Sequence, residues 1–168
     1  PKAEGRAPGA PADTAVARQA KEEPVAALPA GVVDLGLSVC WTDRNVSYGG
    51  RSLFTYDEAK DIIARHYPGY RFPTIKEFQE LEKGSSNGWN WMSKNNSVCF
   101  KYGNGRLIML AADGLIEANG QRNGDHEYGM YLTGNPKEIY TFDKAGAEPD
   151  VSRNNEKYSL RLVWKGDK

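Results

Sequence analysis

The sequence predicts an α+β fold in which two short helices pack on small antiparallel sheets and the N- and C-terminal strands pair. Three observations lead to it: two Thr-x-x-Glu capping boxes, an alternating apolar segment at each end of residues 32–168, and glycine-punctuated short strands between them.

Taken in order, Val33, Leu35, Leu37, Val39 and Trp41 alternate with Asp34, Gly36, Ser38, Cys40 and Thr42, the pattern of a half-buried strand. Thr55-Tyr56-Asp57-Glu58 opens the first helix, on which Tyr56, Ala59, Ile62, Ile63 and His66 recur at helical spacing until Pro68-Gly69 stops it. In Tyr70-Arg71-Phe72-Pro73-Thr74-Ile75-Lys76-Glu77-Phe78, Pro73 keeps the entry non-helical and Thr74 with Glu77 forms the second box. That helix presents Ile75, Phe78 and Leu81 on one side and is expected to end at Gly84 in a left-handed cap. Val98, Phe100 and Tyr102 alternate with Cys99 and Lys101, and Asn104-Gly105 is read as a two-residue hairpin turn into Arg106 to Ala112. Further short segments follow, of which Glu127 to Thr133 and Glu138 to Phe142 are the most strand-like. Tyr158, Leu160, Leu162 and Trp164 then alternate with Ser159, Arg161, Val163 and Lys165 as a closing strand.

Residues 1–31 differ from all this. They hold ten alanines and five of the nine prolines with no aromatic residue, too little apolar bulk for a core, and read as a flexible Ala/Pro linker or stalk ahead of a domain at 32–168. Lysine plus arginine and aspartate plus glutamate number 22 each, so there is no basic excess to favour nucleic acid. No apolar run reaches the roughly 18 residues of a membrane span. The chain opens on Pro1 rather than Met, and the expectation is a targeting segment upstream.

The helix-start motif, Val33-Asp34-Leu35-Gly36-Leu37-Ser38-Val39-Cys40-Trp41, the segment Asn104 to Gly114 and the closing Ser159-Leu160-Arg161-Leu162-Val163 together resemble the Fibrobacter succinogenes major paralogous domain family of Bacteroidetes surface proteins, over about Val32 to Trp164. The resemblance implies a C-type-lectin-like fold. It also implies a secreted or surface-exposed module of the bacterial cell envelope, with a lipid anchor upstream of residue 1 and variable loops that bind a glycan or protein. The helix motif and Leu160-Arg161-Leu162-Val163 are similar as well to the formylglycine-generating enzyme family, a likeness of architecture.

Glu148-Pro149-Asp150 looks like the calcium loop of lectins but lies too close to the closing strand, and reads better as a turn. His66, His126, Asp125 and Glu127 lack zinc-ligand spacing, and His66 suits a helix C-terminus. Gly84-Ser85-Ser86-Asn87-Gly88 fits the Gly-x-Ser-x-Gly pattern but follows a helix end, where a serine nucleophile elbow cannot form. No catalytic residue, metal or cofactor is therefore assigned. Cys40 and Cys99 fall on the more polar faces of two strands; a disulfide between them is left open, and a catalytic pair of the formylglycine-generating kind is disfavoured by their position. The candidate ligand-binding residues are Trp89, Asn90, Trp91, Tyr128 and Tyr131, whose rings and amide suit sugar stacking or a protein anchor, the alternative being that one or both tryptophans plug the core, with Trp91 buried if Trp89 is exposed. The function expected is a non-enzymatic binding or adhesion module; the alternatives are a structural subunit of a surface appendage and, less favoured, an enzyme of the formylglycine-generating type.

Overall fold

The computed structural model describes residues 27–166, so the expected linker lies outside the described residues as far as residue 26. The elements run β1 (Val32–Val33), β2 (Cys40–Thr42), β3 (Leu53–Phe54), α1 (Tyr56–His66), β4 (Tyr70–Arg71), α2 (Ile75–Lys83), β5 (Trp91–Met92), β6 (Ser97–Lys101) and β7 (Leu107–Ala111). They continue with β8 (Leu115–Ile116), β9 (Arg122–Asn123), β10 (Gly129–Leu132), β11 (Glu138–Asp143), β12 (Gly146–Val151), β13 (Tyr158–Ser159) and β14 (Val163–Trp164). The sheets have the orders β1-β2-β14-β4, β12-β11-β10-β13-β3, β5-β6-β7 and β8-β9. All named strand pairs are antiparallel except β10 with β13. The fold is α+β, and its terminal strands pair through Trp41 with Val163 and Cys40 with Trp164.

Both helices begin as their sequences dictate. Thr55 and Thr74 each accept a hydrogen bond from the N–H three residues on, while Glu58 and Glu77 reach back to the cap N–H at 2.9 Å. Helix α1 buries Ala59 and Ile62, and α2 buries Phe78 and Leu81; each of the larger side chains is worth about 2 kcal/mol of transfer free energy. Gly84 departs from expectation, since it sits in the right-handed region at φ −87°. Packing favours glycine here: a Cβ would come within 2.5 Å of Leu37 Cδ2, so that side chain would have to move.

Two hydrophobic clusters share the central sheet between them. One gathers Trp41, Phe78, Phe100, Tyr131, Tyr140 and Phe142 beside α2; the other gathers Phe54, Ile62, Leu132, Ile139, Leu160 and Leu162 beside α1. Because side chains alternate along a strand, β10 sends Tyr131 to the first cluster and Leu132 to the second, and β11 divides Tyr140 and Phe142 from Ile139 in the same way. Ring contacts knit the first cluster, with Phe78 stacked on Tyr140 at 4.6 Å and tilted against Trp41 at 5.2 Å.

Both terminal segments correct the sequence reading. Residues 33–41 are not one strand but a tight excursion between β1 and β2, which pair with each other through Val33 and Trp41. The bend forms because Asp34 Oδ1 accepts the Gly36 N–H at 2.9 Å and Gly36 takes φ +80°. The closing segment is likewise split: β13 joins β10 and β3, β14 joins β2 and β4, and every residue from Tyr158 to Val163 is buried. Arg161, expected on a polar face, is 3% exposed. Its guanidinium donates to Met109 O at 2.6 Å, Asn45 Oδ1 at 2.8 Å and Thr42 O at 3.1 Å, so neutral oxygens solvate the buried charge. The hairpin β6–β7 differs in its turn: Tyr102 and Arg106 close a three-residue loop in which Gly105 alone takes positive φ, +84°, in place of the expected two-residue Asn-Gly turn.

Candidate functional site

A tight turn joins β9 to β10. Gly124 has φ +74°, and its missing Cβ leaves room for the Tyr128 ring, whose Cζ would lie 2.0 Å from a methyl group there. Tyr128 is thus laid flat over the Gly124 backbone, half-buried, at the mouth of two adjoining grooves of about 500 and 600 Å³. The first runs along the outer side of β10, β11 and β12 past Met130, Thr141 and Glu148 to Asp150. The second is walled by Trp91, Ser93 and Asn96 opposite His126, Glu127 and Tyr128. Asp143 and Ala145, at the tip of the β11–β12 hairpin, border both. That tip is fixed by Asp143 Oδ1, which accepts the Ala145 N–H at 2.8 Å.

Charge at the mouth is mixed. Arg122 Nη2 donates to Asp113 O at 2.8 Å and to Asp125 Oδ1 at 3.1 Å, and His126 Nε2 lies 3.7 Å from the same Asp125 oxygen. Behind them, burial pushes the Asp113 carboxyl above its ordinary range; Asp125 adds to this, against the pull of Arg122 and His126. The arrangement offers an aromatic wall, a hairpin tip with Asp143 and Lys144, and side-chain donors and acceptors along the floor. Such a surface can stack an apolar ring face and bind hydroxyls or a peptide backbone.

Of the residues chosen from sequence, the structure brings Trp91 and Tyr128 together at this mouth and takes the others elsewhere. Trp89 packs its ring edge-on against Phe100 at 5.7 Å and Phe142 at 5.9 Å, so it belongs to the core under the loop. Its Nε1 is buried with no hydrogen-bond partner among the described residues. Trp91 is half-buried rather than buried, held by the pairing of β5 with β6 opposite Val98. Asn90 serves the loop itself, with its carbonyl accepting the Cys99 N–H at 2.9 Å and its amide directed at Met92 Sδ at 3.7 Å.

Tyr131 is fully buried. Its hydroxyl donates to Ala111 O and accepts from Asn45 Nδ2, both at 2.9 Å, which couples it to Arg161 through Asn45. Burial pushes this phenol up to about 12, with Arg161 opposing the shift. Residue type alone nominated it, and its position on β10 turns it toward the first cluster.

The remaining motifs fall into structural places. Cys40 and Cys99 are 1% and 3% exposed, on strands of different sheets, and are not joined to each other, which corrects their placement on polar faces. Burial raises the Cys99 thiol. Glu148-Pro149-Asp150 is not a turn but lies in β12, an edge strand that tolerates Pro149 because one of its sides has no strand to pair. His66 is in the last turn of α1, 4.6 Å from the Tyr48 ring. Ser85 Oγ donates to Glu82 O at 2.7 Å just past α2. The groove residues that sequence reasoning missed, Met130, Thr141 and the hairpin tip, carried one signal, the Asp-x-x-Gly spacing of Asp143 and Gly146. No described helix is long and apolar enough to cross a membrane. Compared with family models, curated proteins and solved structures, the chain matches none of them.

Proposed function

We propose that this chain is a non-enzymatic binding module of the bacterial cell surface, recognising a glycan or protein ligand through the paired grooves beside Tyr128. One observation carries the reading: Trp91 and Tyr128, from segments some forty residues apart and each resting one side on a core cluster, flank one open groove, while the rings of Trp89 and Tyr131 lie against other core rings. Aromatic side chains bring large contact area at low entropic cost, so a half-buried pair at a cleft is better suited to recognition than to packing. The family resemblance supports the envelope location. The burial of Cys40 and Cys99 favours a packing role over thiol chemistry.

The test is a glycan array, paired with binding to immobilised surface proteins of the source community, using wild-type protein, Trp91→Ala and Tyr128→Ala. Loss of the same signals in both variants, with folding intact, supports the groove; undiminished binding by both excludes it. The structural-subunit reading has one observation of its own, the β12 edge with Val151 68% exposed. Size-exclusion chromatography of wild type and Val151→Lys separates it, since only a subunit that docks by this edge shows a larger species that the substitution dissolves.

A further inference from the structure

A polar pocket of about 360 Å³, sharing no lining residue with the Tyr128 grooves, lies between the start of α1 and the loop leading from β12 to β13. Tyr56 and Asp57 stand on the helix side; Arg153, Asn154, Asn155 and Glu156 line the loop side. Its walls are held in place. The Thr55–Glu58 box fixes the helix start, and Tyr56 is stacked on Phe72 at 4.9 Å. On the loop, Ser152 Oγ donates to Pro136 O at 2.6 Å and the Arg153 N–H to Tyr158 Oη at 2.9 Å. Tyr158 in turn donates to Glu156 Oε1 at 2.8 Å, and Asn155 holds φ +65°, a left-handed conformation that asparagine accepts.

What distinguishes this pocket is that its opposite charges do not satisfy each other. Arg51 and Lys157 pair with Glu58, but no described ion pair or side-chain hydrogen bond engages Asp57, Arg153, Asn154 or Asn155. Of the amides at the start of α1, the Glu58 N–H is taken by Thr55. An anion alone would meet Asp57 and Glu156, and a cation alone would meet Arg153. A ligand with both charges a few ångströms apart meets neither repulsion: its carboxylate pairs with the Arg153 fork and its ammonium with Asp57, while the two amides take what hydrogen bonds remain. The volume is near the low end of the 300–1,000 Å³ typical of ligand sites, which sets the ligand at roughly amino-acid size.

We infer that this pocket is a second binding site, independent of the groove reading, for a small zwitterion of the α-amino-acid class. The backbone of both walls is fixed, but the exposed side chains that would bind must still be ordered, so a weak but saturable interaction is expected. The experiment is amide chemical-shift titration of the whole chain with four probes: L-alanine, L-alanine methyl ester, N-acetyl-L-alanine and glucose. L-alanine should shift residues 152–156 and Tyr56 saturably, with each blocked derivative about tenfold weaker and glucose without effect. Arg153→Gln should abolish the preference for L-alanine over its ester, and Asp57→Asn the preference over the N-acetyl form. Both positions are exposed, so the variants retain the fold, and unchanged amide dispersion checks it. No saturable response to L-alanine, equal responses to the blocked forms, tighter binding of glucose, or variants that keep both preferences would each overturn the assignment.

Discussion

The closing segment from Tyr158 to Val163 is buried at every position, whereas β12, a few residues earlier in the chain, leaves Glu148, Pro149, Asp150 and Val151 exposed. Both belong to the core of the fold's connectivity, and both mix polar with apolar residues. The difference lies in who satisfies the polar groups. Arg161 is buried because three carbonyl and amide oxygens from two segments, Thr42 with Asn45 and Met109, converge on it, and Tyr131 joins the same network through Asn45. Around β12 water does this work, so an edge strand can carry two carboxylates and a proline. The aromatic residues sort in the same way: Trp89 and Tyr131 turn inward to the rings of the first cluster, while Trp91 and Tyr128, each resting one side on a cluster, turn the other outward to the groove.

The sharpest way to break this comparison is to remove the buried charge network. Arg161→Met should cost about 3–5 kcal/mol, because it strands acceptors on Asn45, Thr42 and Met109 in a dry interior, and urea unfolding would register it as a lowered midpoint. A cost below about 1 kcal/mol would mean that water reaches those acceptors. Next comes Trp89→Ala, expected to cost about 3 kcal/mol through the cavity left against Phe100 and Phe142. Trp91→Ala should cost less in thermal unfolding, and the order of the two values is itself the check on which tryptophan is structural.

Gly124→Ala sharpens the outward side. The new methyl must displace the Tyr128 ring and also occupy positive φ, so we expect a loss of about 1–3 kcal/mol together with loss of groove binding. Stability and binding measured on the same sample would show the two effects together.

The smallest expected effects concern pH. Burial pushes the Glu77 carboxyl up, but the Arg71 guanidinium at 2.7 and 2.9 Å, with the Thr74 N–H, outweighs this and holds it below the ordinary range. A depressed folded value means its stabilisation is complete above the unfolded value of about 4.3 and is lost as pH falls through the folded one. Glu77→Gln should therefore flatten the fall in unfolding midpoint between neutral and acid pH. Asp113 has the opposite sign: its raised value makes ionisation costly in the fold, a penalty that grows as pH rises through that value, so Asp113→Asn should raise the midpoint at neutral pH.

Local chemistry explains why parts of this fold were legible in the sequence. The helix starts at Thr55 and Thr74 depend on residues three apart, and both boxes form as read. The short strands Glu138 to Phe142 and Ser97 to Lys101 form where their patterns place them, although both faces are covered: Cys99 is buried like Val98 and Phe100, and Ile139 enters the second cluster while Tyr140 and Phe142 enter the first. Alternation misled where both faces are covered, as at Arg161 and Cys99, and where a side chain bends the backbone, as Asp34 does at Gly36. In the groove, Trp91 and Tyr128 could be nominated by type, but their meeting depends on β5 pairing with β6 and on the space over Gly124, neither of which a local pattern encodes.

The central claim is that the outward aromatic pair binds and the inward pair holds the fold. It is tested most directly by measuring Trp89→Ala and Trp91→Ala side by side on one glycan and surface-protein array, each with its unfolding midpoint. The account requires Trp91→Ala to lose binding while staying folded, and Trp89→Ala to lose more stability while its folded fraction still binds. Full binding by Trp91→Ala, or a larger stability loss for Trp91→Ala than for Trp89→Ala, would contradict it.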